Sequence, residues 1–503
     1  MIATLYAIAI AVLTVYGGNL LWLAGQHVRR QRLRPGPVPD PDARPRPSAS
    51  WPAVTVQLPL YNEAEVAARL IDACAALNYP QRRLEIQVLD DSTDETTERV
   101  AERVAHWQQR GLDIVHIHRT DRTGYKAGAL QNGLRLARGD LIAIFDADFL
   151  PPADFLQRMV PRFDDANTDA DTDASIGMVQ ARWGHLNAEA SLLTQMQAFG
   201  LDAHFAIEQR TRAQTGCFLN FNGTAGLWRR ACIEDAGGWQ HDTLTEDLDL
   251  SYRAQLRGWQ FRYVPFVEAP AELPLEMNAF RAQQFRWTKG AVETARKMLG
   301  RLWQSDESLR VKGEGTLHLT AHFAFPFILL AALTHAPLLW MEHAGLGPGP
   351  AYFAAMGFGL VGFVGFFLAQ LFAQRALYPN WPQRMKHFPL FMAGSMGLAL
   401  NNTWALLQGL VGHQTAFTRT PKYGQRASGE SWWASRYASS ALSPLVLGEA
   451  LMALYCTAGL VLVIALGEWA AVPFQALFAG GFTLVAASSL QQAYRVRRAA
   501  PAA

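Results

Sequence analysis

The fold is decided by a short apolar run that ends in two carboxylates and is followed by two prolines. The run is Ile142-Ala143-Ile144-Phe145-Asp146-Ala147-Asp148-Phe149, and Pro151 and Pro152 come just after it. Its apolar part has the length and composition of a buried β-strand, and the prolines prevent simple continuation of that strand. We therefore expect Asp146 and Asp148 to form an acidic edge at a strand end.

Two carboxylates one residue apart repel each other unless a cation lies between or beside them. Their hard oxygen atoms suit Mg²⁺ or Mn²⁺ better than softer metals, and such an ion would neutralise a diphosphate leaving group. The alternative for an isolated Asp-x-Asp is a solvated strand end. The motifs elsewhere in the chain decide between these two interpretations.

Composition excludes some classes of protein. The chain has 503 residues, of which 50% are hydrophobic, and its 45 Lys and Arg nearly balance its 43 Asp and Glu. This balance gives no reason to expect a nucleic-acid partner. The four cysteines have neither zinc-site spacing nor the pattern of a disulfide framework, which fits a reducing cytosolic face.

Apolar segments predict five membrane spans. Residues 1–26 form a first membrane helix, interpreted as a retained anchor because it lacks a basic n-region, and residues 27–52 form a stiff linker rich in Arg and Pro. Within a membrane domain at 301–503, four more spans are predicted at about 316–341, 351–374, 442–466 and 473–494. The basic segments place the domain after the linker and the C-terminus in the cytosol.

The stretch 388–412 is apolar and long enough for a sixth span. A crossing there would put the basic residues of 413–441 outside, against the charge bias. Asn401, Asn402 and Gln408 also interrupt the apolar surface. We therefore predict an interfacial or shallow re-entrant element.

Residues 53–300 have the pattern of a soluble α/β domain. Strands predicted at 54–58, 85–89 and 113–118 alternate with helices at 63–77 and 93–110, which implies a mainly parallel sheet with helices on both faces. Such sheets bind ligands at the carboxyl ends of their strands.

Other polar residues of this domain have simpler interpretations. His116 and His118, on one side of the third strand, are interpreted as structural. The acidic run 164–173 lacks the Gly and the bidentate Glu of a calcium loop, so we expect a solvated surface loop.

Five further motifs accompany the acidic edge. They are Leu58-Pro59-Leu60-Tyr61-Asn62-Glu63, Val88-Leu89-Asp90-Asp91-Ser92-Thr93-Asp94, Gly124-Tyr125-Lys126-Ala127-Gly128-Ala129-Leu130, Thr245-Glu246-Asp247 and Gln283-Gln284-Phe285-Arg286-Trp287. Glycines beside Lys126 at a helix start suit phosphate oxygens. In this order the motifs resemble those of the processive membrane β-glycosyltransferases of glycosyltransferase family 2. These are cellulose synthase and, more closely, the cellulose synthase-like A and C proteins that make mannan, glucomannan and glucan backbones.

The resemblance implies an α/β GT-A catalytic domain, of the nucleotide-diphospho-sugar transferase type, inserted between transmembrane helices. It implies a UDP-glucose or GDP-mannose donor, Mg²⁺ or Mn²⁺, and an inverting mechanism. The site residues it implies are the donor-binding Tyr61, Glu63, Asp90, Asp91, Lys126 and Asp146, the metal-binding Asp146 and Asp148, the catalytic Asp247 with Glu246 and Thr245, and Gln283, Arg286 and Trp287 at the acceptor and diphosphate end. Asp247 would be the general base. Asp148 is the expected direct metal ligand, whereas Asp146 would bind ribose or reach the metal through water.

A last motif lies in the basic segment 413–441. Phe417-Thr418-Arg419-Thr420-Pro421-Lys422 is similar to the gating loop of the cellulose synthases, Phe-x-Val-Thr-x-Lys, with Arg419 in the place of Val. The resemblance implies that Phe417, Thr420 and Lys422 belong to a loop that enters the active site over bound nucleotide. The alternative is a basic stretch that anionic lipid attracts.

The expected function is that of a metal-dependent membrane hexosyltransferase. It would extend a β-mannan, glucomannan or β-glucan chain and move this growing polysaccharide across the bilayer. The Ala/Arg-rich composition and compact catalytic domain favour a bacterial inner membrane. Two alternatives stay open, namely transfer of a single sugar to a lipid acceptor and a non-enzymatic membrane scaffold with a degenerate site.

Overall fold

The apolar run before Asp146 forms a strand, β4 (Leu141–Ile144), that is buried on both faces. In the computed structural model, Ile142 and Ile144 pack into one hydrophobic core while Leu141 and Ala143 pack into another, as expected for side chains that alternate along a strand. The structure describes residues 1–33, 51–163, 176–415, 419–424, 432–435 and 437–499. The acidic run 164–173 and Phe417 lie outside these ranges.

β4 belongs to a sheet of seven strands in the described part of the chain. The other strands are β1 (Val54–Leu60), β2 (Leu84–Asp90), β3 (Ile114–His118), β5 (Ile176–His185), β6 (Gly226–Arg229) and β7 (Gln260–Ala271). The strand order is β3-β2-β1-β4-β6-β5-β7. The predicted parallel arrangement is confirmed for β3-β2-β1-β4, whereas β6 runs antiparallel to both of its neighbours. The sheet is therefore mixed.

Helices cover the sheet and continue into a second, largely apolar bundle. They are α1 (Ile2–Leu33), α2 (Ala67–Ala75), α3 (Thr96–Gln108), α4 (Tyr125–Leu136), α5 (Phe155–Met159), α6 (Leu192–Ala203), α7 (Arg210–Thr215), α8 (Arg230–Asp235), α9 (Glu246–Gln255), α10 (Met277–Gln304), α11 (Leu309–Leu319), α12 (Ala324–His343), α13 (Pro350–Met356), α14 (Leu360–Leu377), α15 (Trp381–Arg384), α16 (Phe388–Gly397), α17 (Ala399–Val411), α18 (Leu445–Ala465) and α19 (Val472–Ala499).

The helix predicted from Glu63 begins later, at Ala67. Asn62 has a positive φ of 53°, and the Glu63 carbonyl accepts hydrogen bonds from the backbone N–H groups of Val66 and Ala67, at 3.0 Å each. These bonds form a turn between β1 and α2. The turn keeps Glu63 at the carboxyl end of β1 instead of on the helix.

Five helical segments in the described ranges are long and apolar enough to cross a membrane. They are Ile2–Gln31, Ala321–His343, Pro350–Leu377, Leu445–Ala465 and Val472–Arg498. Their length and composition identify an integral membrane protein. The first helix extends to Leu33, beyond the predicted end of the anchor at residue 26, so Arg29, Arg30 and Arg32 lie on its last turns.

Glycines bring α1 and α14 into close contact. A Cβ atom on Gly17 would lie 2.3 Å from Gly362 Cα, and one on Gly365 would lie 1.9 Å from the Gly17 carbonyl oxygen. Side chains at these positions would force the helices apart. Small residues are a common means of close packing between membrane helices.

The stretch 388–412 is divided into α16 and α17, with Leu398 between them. Gly409 of α17 lies against Val292 of α10, and the Asn401 side chain donates to the Arg281 carbonyl of α10 at 3.2 Å. α17 thus packs on a helix that continues from the sheet domain. The interfacial or re-entrant placement of 388–412 stays a prediction.

Candidate active site

A cleft opens at the carboxyl ends of the parallel strands, where the sequence places its motifs. It is lined by Tyr61, Glu63, Asp91, Lys126, Asp146, Asp148, Thr245, Glu246, Asp247, Gln283, Arg286, Trp287, Thr420 and Lys422, among others. All the described residues that the sequence assigned to a site are therefore brought together here, with the exception of Asp90. This position agrees with the general rule for ligand binding in parallel sheets.

Each carboxylate of the Asp-x-Asp motif is paired with a lysine. Lys126 Nζ lies 2.5 Å from Asp146 Oδ1 and 2.9 Å from the Gly223 carbonyl oxygen. Lys422 Nζ lies 2.7 Å from Asp148 Oδ2. Asp148 is almost completely buried, whereas about a third of the Asp146 side chain is exposed. The two aspartates thus face the cleft beside separate cations.

Asp247 lies in the first turn of α9, where Thr245 is the N-cap residue. Asp247 Oδ1 accepts a hydrogen bond from the Leu248 backbone N–H at 2.8 Å. Its other oxygen, Oδ2, lies close to Gly223, at 3.0 Å from the position of a Cβ atom there. One carboxylate oxygen is therefore fixed while the other faces the cleft.

Burial raises the pKa of Asp247, and the carboxylate of Glu246 raises it further because two negative charges lie close together. The cleft is thus a place where a carboxylate takes up a proton more readily than it does in water. Burial also raises the pKa of Glu63, to about 7, although the positive charge of Arg419 opposes this shift. For Lys126, burial is outweighed by the carboxylates of Asp146 and Glu246, so its pKa is raised and the ammonium stays charged.

The motif Gln283 to Trp287 lies on the first half of α10 and lines the opposite wall. Arg286 Nη2 donates to Thr420 Oγ1 at 3.0 Å. Its guanidinium and the Lys126 ammonium both border the cleft near the carboxylates, while Trp287 presents an aromatic ring. This wall combines a planar cation with a flat apolar surface.

Residues 419–424, here called the strap, cross one side of the cleft. Arg419 lies 3.7 Å from Glu63 Oε1, and the Tyr423 backbone N–H donates to Glu272 Oε2 at 3.1 Å. With Lys422 on Asp148, these contacts bring the strap to both the Glu63 and the Asp148 side of the cleft. Thr420 and Lys422 therefore line the cleft. Their role in a gating loop stays a prediction, and Phe417 lies outside the described residues.

The wall around Tyr61 contains two arginines that the sequence reasoning missed. The Arg122 guanidinium lies 3.3 Å from the centroid of the Tyr61 ring. Arg119 binds Asp91 with two hydrogen bonds of 2.7 and 2.5 Å. Both arginines precede Gly124 and Lys126 by a few residues, so an inspection of cations just before the glycine motif would have found them.

Asp90 is placed differently from the prediction. Its side chain is fully buried and does not line the cleft among the described residues. Oδ1 accepts from the Ser92 backbone N–H at 2.8 Å, while Oδ2 lies 3.0 Å from His116 Nε2 and 3.2 Å from His118 Nδ1. Asp90 is the last residue of β2, whereas Asp91 follows the strand and lines the cleft.

The fold and the cleft define a nucleotide-sugar-type glycosyltransferase domain joined to membrane helices. Residues 52–290 match the family model described as Glycosyltransferase like family 2. The solved structure of the mannosyltransferase PcManGT from Pyrobaculum calidifontis in complex with GDP-Man and Mn²⁺ is similar in fold. Its TM-score is 0.53 at 20% identity, with 82% of this chain and 100% of that chain covered. The predicted GT-A fold is confirmed.

Among curated proteins, the chain is similar to glucomannan 4-beta-mannosyltransferases of plants. It is 44% identical over 256 residues to Glucomannan 4-beta-mannosyltransferase 2 of Arabidopsis thaliana, with 50% of this chain and 47% of that protein covered. It is also 44% identical to Glucomannan 4-beta-mannosyltransferase 1 of Oryza sativa subsp. japonica, with 50% and 48% covered. These matches confirm the resemblance drawn from the motifs. The chain spans about half the length of the curated relatives it matches.

The relatives do not support every part of the predicted localisation. The membrane-length helices confirm that the protein is integral to a membrane. However, the curated relatives named here are plant proteins, so they give no support to a bacterial inner membrane.

Proposed function

We propose that the protein is an inverting, metal-dependent membrane glycosyltransferase that transfers mannose from GDP-mannose to a growing β-linked mannan or glucomannan chain. The observation that carries this proposal is the cleft itself. In one cavity of the described structure it gathers two metal-type carboxylates, a carboxylate of raised pKa, five cationic side chains and several aromatic rings. The identity to glucomannan 4-beta-mannosyltransferases supports mannose as the sugar, and the GDP-Man and Mn²⁺ in the related fold support the donor and the metal.

The chain offers a donor set that fits a divalent cation. Asp146 and Asp148 supply hard carboxylate oxygens, which suit Mg²⁺ or Mn²⁺, and one oxygen of each carboxylate already lies beside a cationic ammonium. The Lys422 ammonium stands in for part of the positive charge that a metal would bring to Asp148. When bound there, the metal would supply positive charge for the diphosphate leaving group.

The remaining parts of the donor site follow from the residues of the cleft. Tyr61, stacked with Arg122, offers a flat surface for a nucleotide base, and Glu63 and Asp91 offer hydrogen-bond acceptors for its ribose. Lys126 and Arg286 place fixed positive charge next to the diphosphate position, where negative charge develops during the reaction. Lys422 would leave Asp148 and bind the diphosphate when the donor enters.

Asp247 acts as the general base in the reaction. Its carboxylate takes the proton of an acceptor hydroxyl while the hydroxyl oxygen forms a bond to the anomeric carbon. The bond from that carbon to the diphosphate oxygen breaks in the same step, and GDP departs with the electron pair. Displacement from the opposite side converts an α-linked donor into a β-linked product. A raised pKa suits this role because a base is most effective when its pKa lies near the working pH.

Trp287 and Gln283 hold the acceptor end of the growing chain. Trp287 can stack against a sugar ring, as aromatic faces do with other apolar surfaces, and α10, which carries it, packs against α17. The polymer would leave between the membrane helices. Transfer to a single lipid acceptor is the outcome that would show the protein to be non-processive.

The cleft faces the cytosol in this proposal. Basic residues lie on the last turns of the first and of the last membrane helix, whereas the short connections between the paired spans lack Lys and Arg. The positive-inside rule places such basic segments in the cytosol. The four native cysteines are buried, so a thiol reagent would report on an introduced cysteine. Labelling of Arg426→Cys from the outside of intact cells would contradict this topology.

Donor screening tests the proposed function. Purified full-length protein is incubated with GDP-mannose, GDP-glucose, UDP-mannose or UDP-glucose and either Mg²⁺ or Mn²⁺, and the release of nucleotide is measured. We expect release from GDP-mannose and a polymer that endo-β-mannanase degrades. Release from UDP-glucose alone would refute the donor, and a product of one sugar on lipid would refute the polymerisation.

A further inference from the structure

We propose that Asp90, His116 and His118 form a second metal site, for a divalent transition metal of the Zn²⁺ class. The three ligand atoms lie within 4.8 Å of one another. Both imidazole nitrogens approach the same carboxylate oxygen, at 3.0 Å from His116 Nε2 and 3.2 Å from His118 Nδ1. No step of the proposed transfer uses these three residues.

The distances fit a shared ion. Zinc binds histidine nitrogen and carboxylate oxygen at about 2.0–2.1 Å in a tetrahedral arrangement, which separates neighbouring ligand atoms by about 3.3 Å. The two nitrogen–oxygen separations need only a small expansion to reach that value, and the two imidazole nitrogens, which lie within 4.8 Å of each other, need to approach by at most about 1.5 Å. The chemistry of the ligands also discriminates, because imidazole nitrogens favour Zn²⁺, Co²⁺, Ni²⁺ or Cu²⁺, whereas Mg²⁺ prefers oxygen ligands alone.

The site is supported by rigid backbone. His116 and His118 alternate along β3, so their side chains share one face, and the parallel register places Asp90 of β2 beside His118. Asp90 Oδ1 is held by the Ser92 N–H at 2.8 Å, an outer contact of the kind that orients metal ligands. About a third of the His118 side chain is exposed, which leaves room for a water molecule as a further ligand.

The cluster is separate from the Asp-x-Asp motif. β1 lies between β2 and β4 in the sheet, and strands are about 4.8 Å apart, so the ends of β2 and β4 are separated by about 10 Å. One ion cannot bind both sets. The cluster is nevertheless connected to the cleft, because Arg119 follows His118 directly and holds Asp91, which lines the cleft.

The test is a Zn²⁺ titration of the full chain in detergent, without a polyhistidine tag and after chelator treatment. Calorimetry in excess Mg²⁺ should find one Zn²⁺ equivalent in the parent protein and in Asp148→Ala. That equivalent should be lost in His116→Ala and in His118→Ala. His106→Ala, which removes a histidine outside the cluster, is the matched control and should bind Zn²⁺ like the parent.

A second readout identifies the ligands. Cu²⁺ bound at this site should show nitrogen couplings from two imidazoles in its paramagnetic resonance spectrum, and each histidine variant should lose one. Thermal unfolding in chelator checks that the variants fold, and His118→Ala is the safer of the two because His118 is partly exposed. The proposal is overturned if the parent binds no Zn²⁺ in excess Mg²⁺, or if both histidine variants retain the equivalent. Neither result depends on whether the protein transfers mannose.

Discussion

Gly223→Ala should lower turnover because the added Cβ atom displaces the proposed general base, Asp247. A Cβ atom at this position would lie 3.0 Å from Asp247 Oδ2 and 3.4 Å from Lys126 Nζ. To reach ordinary contact, the Asp247 oxygen must move by about 0.4 Å. Since a misplacement of about 1 Å at a reacting group costs about 100-fold in rate, we expect kcat to fall about tenfold.

Gly111→Ala is the matched control for backbone strain. Both glycines have a positive φ, 79° at Gly223 and 82° at Gly111, but a Cβ atom on Gly111 would meet nothing within 4 Å. Both substitutions should therefore cost about 1–2 kcal/mol of stability through the left-handed conformation. The assay is GDP release from GDP-mannose, with thermal unfolding measured in parallel. Equal kcat values in the two variants would refute the placement of Asp247 as the base.

Three further predictions concern pH, the strap and the membrane helices. The acidic limb of the pH profile of kcat/KM reports the free enzyme. Its midpoint should lie above the usual aspartate pKa of about 4, because burial raises the pKa of Asp247 and the base works only when deprotonated. A midpoint in the usual range would contradict this. Lys422→Ala should strengthen Mn²⁺ binding about fivefold in a calorimetric titration, because an ammonium then no longer competes for Asp148. The control Lys312→Ala should bind Mn²⁺ like the parent. Equal Mn²⁺ affinities in the parent and both variants would exclude competition by Lys422. Gly365→Ala should destabilise the protein by about 1–3 kcal/mol, because the added Cβ atom overpacks α1 against α14. In the control Gly480→Ala the Cβ atom would meet nothing within 4 Å, so no such loss is expected. Thermal unfolding of the two variants measures the difference.

The sequence predicted the strand ends well because the signal there is local. An apolar run followed by Asp and Pro can hardly continue as a strand, and β4 ends at Ile144 as expected. The same holds for the motifs of the cleft, since parallel strands bring their carboxyl ends to one edge. The turn at Asn62 and Glu63 was missed because a helical pattern does not reveal a left-handed residue in front of it.

Contacts between residues far apart in the chain could not be predicted from the sequence. Lys422 reaches Asp148 across 274 residues of chain, and no local pattern contains that information. The assignment of Asp90 to the donor site followed from family resemblance, whereas its position is set by the alternation along β2 and by two histidines on β3. The shared partner of those histidines lies on another strand, so no pattern within β3 predicts the cluster.

The central claim is that Asp247 removes the proton of the acceptor hydroxyl in this cleft. Asp247→Asn retains the size of the side chain and an oxygen for the Leu248 N–H, but an amide cannot take up the proton. The most direct measurement is GDP release from GDP-mannose together with donor binding, with the surface variant Asp235→Asn as control. We predict a loss of about 10²- to 10⁴-fold in kcat with donor binding retained. Full turnover by Asp247→Asn would contradict the proposed mechanism.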